Sequence, residues 1–166
     1  MIGRLCAQVE AGNIAVACVY CDFYAPNEQS ATGLLGALLK QVVSALEPIP
    51  DEVKKAFENS KGGVGGRRPL LLEVLEMLIK SLSLLHRVFI CIDALDEFHA
   101  KHRPELWEAL QLVVQKCPNI RLFLTGMLEN SDFRLLTTYI LSFLHKAKHI
   151  YAIVNTMVAS TAFHHC

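Results

Sequence analysis

The stretch "RVFICIDALDEF", Arg87 to Phe98, places three carboxylates within five residues: Asp93, Asp96 and Glu97. Five apolar residues, Val88 to Ile92, run straight into the first of them. That pattern predicts a buried strand ending in acid. In open α/β sheets, the carboxyl ends of parallel strands form the ligand-binding edge. An Asp at that edge is suited to Mg²⁺, which takes oxygen ligands and keeps much of its water. A second acid a few residues on can orient or deprotonate a water that attacks a phosphate. The alternative is structural: an Asp closing a strand also caps the turn after it.

Positioning such an edge requires strands that alternate with helices, and the chain reads that way. Ile14 to Tyr24 is nearly all apolar and predicts a strand buried on both faces. Pro26 and Asn27 break it. "NEQSATGLLGALLKQVVSALE" has helical periodicity, with Leu34, Leu35, Leu38, Leu39, Val42 and Leu46 on one side, and Pro48 and Pro50 end the helix. Asp51 opens a charged helix through Asn59, "KGGVGGRRP" is a loop, and a helix follows from about 70 to 85. After the Val88–Asp93 strand, "RPELWEALQLVVQKC" is a helix with Pro104 in its first turn. "IRLFLT" is another strand. The alternation predicts an α/β fold with a parallel sheet covered by helices. Residues 4–11 suit the end of a short helix and Ser131 to Lys148 a further helix, while "IYAIVNTMVASTAFHHC" suits strand or helix equally.

Composition narrows the function classes. The chain has 166 residues, the size of one ordinary domain, with 52% hydrophobic and 19% charged residues. Sixteen Lys plus Arg balance sixteen Asp plus Glu, so no electrostatic argument favours nucleic acid or an anionic membrane. No apolar run approaches the roughly 18 residues that span a bilayer. Glu10 interrupts any signal-peptide core, so the expected location is cytoplasmic. The six cysteines mostly sit in apolar runs and read as buried thiols. Cys18 and Cys21 form a C-x-x-C on a strand, where residues three apart face opposite ways. That geometry spoils a redox pair or a zinc knuckle, even with the "HHC" tail available.

"FICIDALDEF" resembles the Walker B segment of the NACHT NTPases, members of the STAND class of signalling ATPases. "VYCDFYAPNEQSATGLLGALLKQVV" is similar to the aromatic-rich strand, polar turn and helix before Walker B in fungal NACHT and nephrocystin-3-like N-terminal proteins. Their "LLxxLLKQ" core matches Leu34 to Gln41. "RRPLLLEVLEMLIKSL" resembles the family's next helix, and "NIRLFLTG" its sensor 1 strand. The resemblance covers residues 1–127 as a partial NACHT-like domain and leaves 128–166 as a C-terminal segment without a match. It implies that Asp93 coordinates Mg²⁺, directly or through water, and that Asp96 and Glu97 position the attacking water. Thr125 would stand near the γ-phosphate of ATP; strand-end capping is the alternative.

Two departures bear on activity. In the family the phosphate loop precedes the strand matching Ile14 to Tyr24, and its own strand lies between the Walker B and sensor strands. Here thirteen residues precede Ile14, and "MIGRLCAQVEAGN" matches only the end of the helix after that loop. "KGGVGGRR", Lys61 to Arg68, resembles the loop signature, but Gly66 stands where its lysine should be and Arg67 where its hydroxyl should be. At sensor 1 the usual arginine is Met127. The expectation is therefore an incomplete P-loop NTPase (STAND) core that binds neither Mg²⁺ nor ATP by itself. Protein partners or self-association are expected. A non-catalytic interaction module on the same scaffold is the other reading. With the central strand lacking, either the Walker B and sensor strands pair directly or both keep open edges.

Overall fold

A computed structural model describes residues 13–22, 29–61, 67–127 and 150–155. The elements run β1 (Ile14–Tyr20), α1 (Ala31–Ser44), α2 (Asp51–Lys61), α3 (Leu71–Ser83), β2 (Arg87–Asp93), two 3₁₀ turns (Leu95–Glu97 and Ala100–His102), α4 (Arg103–Lys116), β3 (Ile120–Met127) and β4 (Ile150–Asn155). The strands form one sheet in the order β1-β2-β3-β4, every neighbour parallel. This is the α/β fold that the alternation predicts. The segment from Ile150, open between strand and helix in sequence, begins as a strand. The helices anticipated near 4–11 and 131–148 lie outside the described residues, as does most of the glycine loop.

Of the two arrangements open to the central strands, direct pairing is the one observed. Val88 pairs with Ile120, Ile90 with Leu122 and Ile92 with Leu124. The backbone groups of the two strands thus satisfy one another, and no buried edge is left unpaired between them.

The helices start and stop where local chemistry directs. The Ser30 hydroxyl accepts from the Gly33 amide at 3.1 Å and opens α1. Glu73 closes the first turn of α3 by accepting from the Leu70 amide at 2.8 Å. The anticipated stripe of α1 is buried at Leu35, Leu38, Leu39 and Val42. Asn119 donates to the carbonyls of Leu82 (2.8 Å) and Leu85 (2.7 Å), tying the end of α3 to the start of β3.

One expectation needs correction. β1 was to be buried on both faces, yet only alternate residues are. Ala15 and Ala17 are buried, while Val16 and Cys18 are partly buried. β2 repeats the pattern, with Val88, Ile90 and Ile92 buried and Phe89 and Cys91 only partly so. The physical reason is that all four described helices contribute to one core on one face of the sheet. The free edge of β1 is also guarded. The Cys18 N–H donates to Gln41 Oε1 at 2.9 Å, and the Cys18 carbonyl accepts from Gln41 Nε2 at 2.8 Å. One amide of α1 thus stands in for a neighbouring strand.

Candidate functional site

The three carboxylates gather at the C-terminal edge of the sheet. Asp93 is the last residue of β2 and is exposed. Asp96 and Glu97 follow in the 3₁₀ turn, both partly buried. The link between them is Ala94, held in the left-handed region at φ 54° and ψ 47°. A non-glycine residue there costs about 1–2 kcal/mol. A small polar network offsets that cost. The Ala94 N–H donates to Asp93 Oδ1 (3.0 Å) and to Thr125 Oγ1 (3.3 Å), and the Thr125 hydroxyl donates to Asp93 Oδ1.

Thr125 therefore sits beside Asp93, across directly paired strands. Its hydroxyl joins the end of β3 to the end of β2. The turn itself is clamped from α4. Arg103 Nε donates to the Phe98 carbonyl at 2.9 Å, and Arg103 Nη2 donates to the Asp96 carbonyl at 2.6 Å. Below the turn lies Gly126. A Cβ added there would come within 2.8 Å of Asp96 Oδ1 and 3.2 Å of the Leu95 and Asp96 amide nitrogens. Only the absence of a side chain lets the acidic turn rest on β3.

Cys21 completes the neighbourhood. Its N–H donates to the Asp93 carbonyl at 3.0 Å, extending the ladder past the end of β1. Its thiol is 1% exposed. Burial, reinforced by the Asp96 and Asp93 carboxylates, pushes it up from 9.0 to about 11. The thiol stays protonated and serves as packing, not as a nucleophile. Cys18, three residues earlier, lies on the other face, as strand geometry requires.

Asp93 and Thr125 are thus in contact, and Asp96 lies against Gly126. The carboxylates share an edge without sharing a ligand sphere. Among the described residues, no three His, Cys, Asp or Glu side chains are placed to hold a metal ion together. Asp93 can supply one carboxylate to a hydrated Mg²⁺, and its Oδ1 is already engaged by Thr125. The glycine loop brings no help from its described flank. Arg67 pairs with Glu73 in the first turn of α3. The Leu70 amide and Arg67 hold that carboxyl below its ordinary value.

Sequence reasoning missed Arg103, Gly126 and Gln41 as positioning residues. A glycine inside an apolar strand is a signal of close backbone approach, and Gly126 carried it. Arg103 gave no signal, because its partners are carbonyls. Gln41 lay within the "LLxxLLKQ" match and was read only as part of a helix.

No helix among the described residues is long and apolar enough to cross a membrane. No curated protein and no solved structure matches the chain. A family match covers residues 1–126 of the 166 and is described as Nephrocystin 3, N-terminal. By that match the chain belongs to the nephrocystin-3 N-terminal family.

Proposed function

We propose that these 166 residues form the carboxylate-and-sensor half of a NACHT-type signalling NTPase domain, and that by themselves they neither bind nor hydrolyse ATP. Asp93 would be the metal-side carboxylate, Asp96 and Glu97 the water-positioning acids, and Thr125 the sensor hydroxyl. The observation that supports this most is the Thr125–Asp93 contact across paired β2 and β3. In the arrangement that the resemblance implies, the strand feeding the phosphate loop lies between these two. With the strands paired directly, that strand has no place between them, and the amides and lysine of the loop it feeds normally supply most of the contacts to a triphosphate. Calorimetry of the chain with Mg–ATP tests the reading. The expected dissociation constant is no tighter than millimolar, and a low-micromolar constant would overturn it.

A second reading is a protein-interaction module on the same α/β scaffold. Two large apolar side chains favour it: Leu70 and Leu72 are 59% and 68% exposed at the start of α3. ATP binding gained when a strand and phosphate loop are joined ahead of the chain would separate the first reading from this one, which gains none. In both, the partners are proteins or further copies of the chain, in the cytoplasm. The balanced charge supports excluding nucleic acid and membrane surfaces.

A further inference from the structure

β1 and β2 set two thiols side by side. The strands pair in parallel with Cys18 opposite Cys91. Residues in register on neighbouring strands point to the same face of a sheet. Ala17 and Ile90, the pair one step back, both belong to the core. Cys18 and Cys91 therefore both stand on the face opposite it. Each is partly buried, and neither is in a disulfide. The C-x-x-C spacing points to Cys21 as the companion of Cys18, but Cys21 is packed in the core. The thiol at the same register is the one across the strand boundary. Cys117, the other described cysteine, is also buried in the core, its thiol donating to the Ile79 carbonyl at 3.7 Å.

The register of the pair is fixed from both sides. Gln41 holds the Cys18 N–H at 2.9 Å and the Cys18 carbonyl at 2.8 Å. The Cys21 N–H donates to the Asp93 carbonyl at 3.0 Å and carries the β1–β2 ladder past both cysteines. The two sulfurs already act on each other. Burial first, then the charge of the Cys18 sulfur, Asp93 and a hydrogen bond with Cys18, hold the Cys91 thiol above its ordinary 9.0.

We propose that Cys18 and Cys91 form an oxidisable dithiol, which closes to a disulfide between β1 and β2 when the chain meets a small disulfide of the glutathione type. Neighbouring strands lie about 4.8 Å apart. That falls within the roughly 4.4–6.8 Å of Cα separation that a disulfide spans. The Cβ atoms of a disulfide sit ~3.8 Å apart, so closure draws the strands together by about 1 Å. A bond made against that resistance is readily reduced, which suits one that forms and reopens rather than a permanent brace. In the first step the Cys18 thiolate attacks one sulfur of the small disulfide, and one small thiolate leaves. Cys91 then gives its proton to water and attacks the Cys18 sulfur, and the second small thiolate leaves. The two cysteines lose two electrons and two protons in all, and the small disulfide becomes two thiols. Cys18 goes first because its charge is what keeps the Cys91 proton in place. The bond closes a loop that holds α1, α2 and α3, which restricts the unfolded chain. The inference is independent of the nucleotide reading.

The full chain, first reduced, is incubated with oxidised glutathione, its remaining thiols are blocked, and peptides are mapped without reduction by mass spectrometry. The expected product is a Cys18–Cys91 peptide pair within one chain, in a yield independent of protein concentration and reversed by dithiothreitol. The oxidised chain should also unfold at a higher denaturant concentration than the reduced one. A lasting glutathione adduct on either cysteine, a link from either to any other cysteine, links between chains that grow with concentration, or no reaction at all would overturn the proposal. As a second measurement, Cys91→Ser removes the thiol that expels glutathione, so Cys18 should accumulate about tenfold more glutathione adduct than in the unaltered chain. Equal adduct in the two proteins overturns it as well.

Discussion

The inner face of the sheet and its carboxylate edge are built on different physics. On the inner face, Val88, Ile90 and Ile92 meet α1, α3 and α4 with essentially no exposure, and burial of apolar area supplies the stability. At the edge, only three residues past Ile90, charge and backbone geometry dominate. Asp93, Thr125, Ala94 and Arg103 fix one turn through a handful of polar contacts, most of them partly solvated. The first region tolerates little change in volume. The second tolerates changes of charge but not of backbone space.

The largest effect should come from the inner face. Ile90→Ala removes a fully buried side chain at the middle of β2 and should cost about 3–4 kcal/mol in chemical denaturation. A loss below about 1 kcal/mol would mean that the face is loosely packed, and the contrast would fail.

Next comes Cys21, where the two regions meet. Its folded thiol titrates near 11 against 9.0 for the ordinary group. The sign follows from linkage: the fold favours the protonated thiol, so this contribution is intact below pH 9 and is lost as pH rises through 11. Two pKa units correspond to about 2–3 kcal/mol. Between pH 8.5 and 11 the chain should lose that much more stability than Cys21→Ala does. Parallel curves for the two proteins would show that the edge does not reach this thiol.

A smaller cost belongs to the edge itself. Gly126→Ala drives a methyl against Asp96 Oδ1 and two backbone nitrogens, of which the backbone cannot swing away. The expected loss is about 1–2 kcal/mol, read as a lower melting temperature. A neutral result would show that the acidic turn does not rest on β3.

The smallest effect tests the charge. Asp96→Asn removes one of three neighbouring carboxylates while leaving the Asp96 carbonyl that Arg103 grips. Like charges close together are unfavourable, so stability should stay within about 0.5 kcal/mol or rise slightly. A drop of several degrees in melting temperature would make this carboxylate a structural cap and erase the distinction between the two regions.

Much of this was legible in the residues. Periodicity alone marked the helices, because an α-helix buries every third or fourth residue and α1 and α3 do so over three turns. The run into Asp93 marked a strand ending in acid, and the family resemblance marked Asp93 and Thr125 as belonging to one site. The two side chains are in contact at the ends of β2 and β3. What local pattern could not convey was which strands are neighbours. β2 and β3 are separated by a whole helix, and no periodicity within either names its partner. The same holds for the described core lying on one face: Val16, Phe89 and Cys91 are as apolar as the residues beside them, so β1 read as buried on both sides. Composition decides that a strand prefers to be covered. Only the order of the strands, together with the handedness of their connections, decides on which face the cover arrives.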